Sequence, residues 1–100
     1  MSLSTHVLDA GRGRPAAGVP VRLYAEDRLL TEAETDDDGR ASGLANTLEP
    51  GTYRLVFDLT SYDADGFFPE ATIAFRVSDD RHHHIPLLLS PFAYSTYRGS

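Results

Sequence analysis

The chain has 100 residues, with 15 acidic side chains against 9 basic ones, all of them arginine, for a net charge of −6 at pH 7. That length suits one domain over residues 1–100, which buries roughly two-thirds of its unfolded surface and needs no covalent staple. The acidic balance, without any basic run, argues against non-specific binding to nucleic acid or to an anionic membrane, and the lack of cysteine excludes disulfides, thiolate metal sites and a thiol nucleophile. One local arginine still suffices to reverse the field for a small anion. Met1-Ser2-Leu3-Ser4-Thr5-His6 has neither a basic start nor a long apolar run. No secretory signal or membrane span is therefore expected, and the cytoplasm is the expected location.

In chain order, strand signals dominate. Leu3 to Leu8 is short and rich in β-formers. Gly11-Arg12-Gly13-Arg14-Pro15 reads as a loop, since it lacks the Gly-Lys-Ser/Thr ending of a phosphate loop. Val19 to Tyr24 alternates, with Val19, Val21 and Leu23 on one face. Leu29 to Thr35 is a more polar strand, and Asp37-Asp38-Gly39 carries an Asp-Gly turn signal. Pro50-Gly51 is a second turn. Thr52 to Asp58 then alternates, with Tyr53, Leu55 and Phe57 pointing one way. Thr60 to Ala64 is the one stretch read as helical, about one turn. Asp65-Gly66 turns the chain again. Ala71 to Val77 has Ile73, Phe75 and Val77 inward, His82 to Leu89 forms another strand, and Ala93 to Arg98 closes the chain. Short strands with Gly/Pro punctuation describe an all-β antiparallel sandwich.

The histidines fall into place by alternation. Ile85, Leu87 and Leu89 share a face with His83 and point to the core, so His84 lies on the outer face with His82, Pro86 and Leu88. An outer face bearing Leu88 is a candidate subunit interface. If Val7 is in the core, His6 is also outward. Taken alone, each outward histidine reads as a surface residue, and Arg40 as a solvated arginine after a turn. His82 and His84 have a spacing found in zinc sites, but no third ligand beyond Asp79 or Asp80 is evident, so no metal or cofactor is expected. The serines lie in no nucleophile elbow, and Asp36-Asp37-Asp38 reads as a solvated turn.

The segment His84-Ile85-Pro86-Leu87-Leu88-Leu89-Ser90-Pro91, with Tyr94-Ser95-Thr96-Tyr97-Arg98-Gly99-Ser100 after it, closely resembles the C-terminus of the 5-hydroxyisourate hydrolases, of the transthyretin-like protein family. Leu3 to Asp9 resembles their N-terminal strand, Gly13 to Ala16 their first loop, Thr35 to Arg40 their arginine segment, and Gly51 to Leu55 and Phe68-Pro69-Glu70 two further segments. Phe68, Ala93 and His83 depart from the residues common at those positions, and none removes a group the resemblance makes catalytic. The resemblance implies a transthyretin-like sandwich of two four-stranded sheets with one short helix. It implies a homotetramer, a dimer of dimers, with sites in a channel between dimers.

The same resemblance implies the activity: hydrolysis of 5-hydroxyisourate to 2-oxo-4-hydroxy-4-carboxy-5-ureidoimidazoline in urate degradation. Water adds to a ring carbonyl, which requires a base, an oxyanion donor and groups that orient the ring. The family's catalytic positions fall on His6, Arg40 and His84. Its terminal tetrapeptide places Tyr97, Ser100 and Arg98 at the substrate, with Arg98 also suited to anchoring the terminus. The alternatives are a non-enzymatic transthyretin-like small-molecule binding protein and a prealbumin-like adhesion module. Neither requires outward histidines.

Overall fold

The computed structural model describes residues 2–99. Ten strands build two sheets: β1 (Leu3–Asp9), β2 (Arg14–Pro15), β3 (Pro20–Ala25), β4 (Arg28–Glu34), β5 (Arg40–Ala45), β6 (Gly51–Asp58), β7 (Glu70–Val77), β8 (His83–His84), β9 (Leu87–Ser90) and β10 (Ala93–Thr96). One sheet runs β4-β3-β6-β7 and is antiparallel throughout. In the other, β1 is the hub. Its first half pairs with β5 on one edge and β8 on the other, and its second half pairs with β2 and β9. β10 folds back on β9 as the edge. Counted as ribbons, with β8/β9 and β2/β5 each an interrupted ribbon, this sheet is also four across.

The alternation read from sequence explains the sandwich. Leu3 and Val7 of β1, Val21 and Leu23 of β3, Leu55 and Phe57 of β6 and Leu87 of β9 are fully buried between the sheets. At about 25 cal/mol per Å² of buried apolar surface, this core is the main source of stability. The chain belongs to the all-β class, and among the described residues no helix is long and apolar enough to cross a membrane.

The expected loop Gly11–Pro15 ends in the short strand β2, and four larger features differ from the expected elements. Thr60–Ala64 is not a helix but a pair of turns. The bonds from the N–H groups of Tyr62 and Asp63 to the Leu59 carbonyl make one closed turn, at 3.1 and 2.8 Å. The Asp58 and Asp63 side chains then accept from backbone N–H groups on either side, a local alternative that stops helix propagation. The sandwich is not wholly antiparallel, because β8 and β9 run parallel to β1. Alternation fixes a strand's faces but not its partner's direction. The expected strand over His82–Leu89 is broken at Ile85–Pro86, since proline supplies no ladder N–H. There the Thr5 hydroxyl donates to the Ile85 carbonyl at 2.5 Å, stitching the break to β1. Finally, β5 was not among the expected strands. Its small residues and Gly43, at φ 69°, give it little strand signal, and Ala41 and Leu44 hold it to the core.

Thr35 ties the end of β4 to the loop that precedes β3. Its buried hydroxyl donates to the Ala16 carbonyl at 2.7 Å and accepts from the Val19 N–H at 2.9 Å. Thr35→Val keeps the shape and leaves two buried backbone groups unpaired, so chemical denaturation should show a loss of about 2–4 kcal/mol. An unchanged urea midpoint would mean that water or backbone rearrangement satisfies both groups.

Candidate active site

β1 presents Leu3, Thr5 and Val7 inward, so Ser4 and His6 lie together on the opposite face, where both are partly exposed. The two neighbouring ribbons fix what stands beside them. His6 is paired with Arg40 of β5, and Ser4 with His84 of β8. His6, Arg40 and His84 come from three distant parts of the chain, and the pairing of one strand brings them to one face. Cross-strand partners in an antiparallel ladder have Cβ atoms about 4.5–5.5 Å apart, so His6 and Arg40 are within side-chain reach.

The turn before β5 aims Arg40. The Asp36 carboxylate accepts from the N–H groups of Asp38 and Arg40 at 2.9 and 3.0 Å, while the Gly39 N–H closes the turn on the Asp36 carbonyl. Gly39 has φ 78°, and a Cβ there would lie 2.3 Å from the Val7 carbonyl oxygen. Only glycine lets the turn approach β1 this closely. The acidic run is therefore partly structural: one carboxylate is the brace of the arginine turn.

Each histidine has a defined hydrogen-bond setting. The His6 Nε2 donates to the Asp38 carbonyl at 2.8 Å, which assigns the lone pair of the neutral ring to Nδ1. The His84 Nδ1 bonds to the Ser4 hydroxyl at 2.8 Å, which leaves Nε2 as its reactive nitrogen. His82 shares the same hydroxyl through Nε2 at 2.9 Å, bonds Ser2 through Nδ1, and lies nearly parallel to His84 with ring centres 6.4 Å apart. Partial burial is the first cause holding the His84 imidazole below the ordinary histidine pKa. The charge of Arg40 is the second, followed by His82 and His6. His84 is thus kept neutral to lower pH than a solvated histidine.

The C-terminal segment passes beside His84. Gly99 bridges to it antiparallel, with its N–H donating to the His84 carbonyl at 2.7 Å. A Cβ at Gly99 would stand 2.5 Å from the His84 Cδ2, so glycine is the residue that lets the terminus lie against the ring. Tyr97 is 60% exposed. Arg98 reaches toward His83, its Nη2 lying 3.4 Å from the His83 Nε2, while the His83 Nδ1 donates to the Arg81 carbonyl at 2.7 Å. His83 is buried, as its place in the inward set requires. Ser100 lies outside the described residues.

Ser4 shares a face with His6 and is visible by the same alternation, but nothing else in the sequence singles it out. His82 is outward in the sequence pattern, with no sign there of its bond to Ser4. Among the described residues, no group of three or more His, Cys, Asp or Glu is placed to hold a metal ion. The Asp38 carbonyl carries no side-chain signal at all.

The pattern of the HIUase/Transthyretin family matches residues 3–99. A 5-hydroxyisourate hydrolase of Caulobacter vibrioides is 46% identical, over 98% of this chain and 97% of that protein. The uric acid degradation bifunctional protein of Arabidopsis thaliana is 41% identical over 98% of this chain, which spans only 37% of that longer protein. The solved structure of a Klebsiella pneumoniae 5-hydroxyisourate hydrolase superposes with a TM-score of 0.92, covering 99% of this chain and 98% of that one at 38% identity.

Titration of the histidine side chains by NMR should find His84 with a pKa below the ordinary value. Arg40→Gln removes one lowering influence and leaves burial in place, so the His84 midpoint should move upward without becoming that of a solvated histidine. A midpoint that stays fixed would show that Arg40 does not act on His84.

Proposed function

The chain belongs to the HIUase/Transthyretin family, and on that premise we propose that it hydrolyses 5-hydroxyisourate to 2-oxo-4-hydroxy-4-carboxy-5-ureidoimidazoline, a step of urate degradation. The observation that carries this reading is the convergence of His6, Arg40 and His84 on one outer face, with Gly99 bonded to His84. The fold serves hydrolases and carriers alike, so the side chains have to decide.

In this reading the His84 Nε2 takes a proton from water as the water oxygen bonds to a ring carbonyl. The carbonyl electron pair moves to oxygen, and Arg40 stabilises the oxyanion with its planar fork. Collapse of the adduct breaks the ring C–N bond, and His84 returns the proton to the departing nitrogen. The lone pair on the His6 Nδ1 accepts a hydrogen bond from the other water hydrogen and fixes the direction of attack. Tyr97 and Ser100 orient the ring and close the site. Arg98 holds that terminal segment against His83.

The reading includes one domain over residues 1–100, a homotetramer built as a dimer of dimers, and a cytoplasmic location. The strand β10 supports self-association, since it is an edge whose residues are all exposed. Phe67, Phe92, Tyr94 and Tyr97 add large exposed rings. An open edge beside apolar surface favours a partner, and sedimentation should find four copies.

The deciding measurement follows the ultraviolet decay of freshly made 5-hydroxyisourate. The protein should accelerate it, and His84→Ala should lower that acceleration by at least about a hundredfold, the low end of what a positioned base supplies. Binding of the compound without faster decay would favour the carrier reading. Full turnover in the variant would remove His84 as the base.

A further inference from the structure

Behind His84 lies a chain of hydrogen bonds that the hydrolytic scheme leaves unused. The His84 Nδ1 bonds the Ser4 Oγ at 2.8 Å, the same oxygen bonds the His82 Nε2 at 2.9 Å, and the His82 Nδ1 bonds the Ser2 Oγ. His84 is partly buried, whereas His82 is exposed. The chain therefore runs from the reactive ring to solvent.

We propose that Ser4 and His82 form a proton relay behind His84, which sets its tautomer and carries positive charge away from it during the reaction. The proposal rests on the hydrolase reading for its chemistry, but its geometry stands apart from it. A serine hydroxyl has one proton, so it donates to one histidine and accepts from the other. For Nε2 of His84 to be a base, its proton must sit on Nδ1. His84 then donates to Ser4, Ser4 donates to the His82 Nε2, and His82 donates from Nδ1 to Ser2. The opposite polarity puts the His84 proton on Nε2 and removes the base. His82 and Ser4 thus choose which of the two forms His84 adopts.

The same chain balances the transfer. As water gives a proton to the His84 Nε2, the Nδ1 proton passes to the Ser4 oxygen, and the Ser4 proton passes to the His82 Nε2. His84 ends neutral, Ser4 ends neutral, and the imidazolium is His82. When the ring C–N bond breaks, the three moves reverse and the proton reaches the departing nitrogen through the His84 Nε2. No other reactant is needed. The gain is electrostatic. Arg40 from β5 and His6 from β1 face His84 and disfavour a cation there, and partial burial adds to the penalty. An exposed His82 carries the charge in water. Ser4 and His82 are positioning residues here, since neither touches the substrate.

The test compares the wild-type protein with Ser4→Ala, His82→Gln and the double variant, by steady-state hydrolysis and by nitrogen-15 NMR of the histidine rings. Gln at 82 preserves a polar contact to Ser4 but cannot hold the proton. If the relay operates, each single change lowers kcat by roughly tenfold with KM little altered, and the double variant is no slower than either, because the groups act in series. NMR places the wild-type His84 proton on Nδ1 and shows the His82 and His84 titrations coupled, and Ser4→Ala uncouples them. Wild-type kcat in His82→Gln, or multiplying losses in the double variant, overturns the relay. So does a wild-type His84 proton resting on Nε2. Should the wild-type protein not speed the decay, the hydrolase reading falls. The NMR result then decides the relay alone, coupled titrations sustaining it and independent ones ending it.

Discussion

The backbone of β1 is hydrogen-bonded along both edges, and the rest of the structure depends on that double pairing. It places Leu3, Thr5 and Val7 in the core and Ser4 and His6 on the opposite face. It also sets Arg40 beside His6 and His84 beside Ser4, in fixed register. Side chains alternate with a period of two, so a slip of one residue would send His6 into the core and Leu3 and Val7 to the surface. The apolar core therefore enforces the polar site: the residues that bury Leu3 and Val7 also hold His6 outward. Thr5 reinforces the arrangement through the broken strand, because its bond to the Ile85 carbonyl anchors the stretch just after His84.

Within that frame, the polar groups near the histidines are committed in a way that leaves burial first, and the arginine charge second, to set the state of His84. The chain carries a net charge of −6, and the turn beside the site contains three aspartates in a row. Asp36 directs its carboxylate to two backbone N–H groups of its own turn, and Asp38 offers His6 its main-chain carbonyl. Carboxylates pairing with the imidazoles would push their pKa values up and favour the cation. Arg40 does the reverse for His84, after burial. A histidine in that setting keeps its lone pair at the pH where a base is useful.

Much of this was legible in the sequence, and what was hidden has physical reasons. Alternation within Leu3–Leu8 and His82–Leu89 put His6 and His84 outward and His83 inward, as the structure has them, because one residue of shift would have exposed Leu3, Val7, Ile85 and Leu87. The ending Tyr97 to Gly99 was legible only through its resemblance to a family. Nothing in its periodicity says that Gly99 bonds His84. β5 was not legible: Arg40-Ala-Ser-Gly-Leu-Ala is held by its neighbours rather than by its own propensity. The parallel partnership of β1 with β8 and β9 was hidden because strand direction follows from how the chain crosses between sheets. The helix expected at Thr60–Ala64 lost to aspartate side chains that bond locally, a competition that spacing alone does not reveal.

The candidate site lies on a sheet face, and an apolar-walled cavity lies elsewhere. A cavity of about 370 Å³ opens between Asp9, Arg12, Tyr62, Phe67 and Phe92. Its carboxylate is unsuited to proton transfer, since Asp9 already accepts from the Arg12 main chain, the Arg12 guanidinium and the Tyr62 hydroxyl. The histidine face, by contrast, offers a ring nitrogen free of such bonds among the described residues. A flat face exposed to water gives charges little leverage, because the effective dielectric is high. The same Arg40 beside the same His84 would act far more strongly once covered. The terminal segment at Gly99 covers one side of His84. That cover gives the charge of Arg40 more leverage on the ring than open water would.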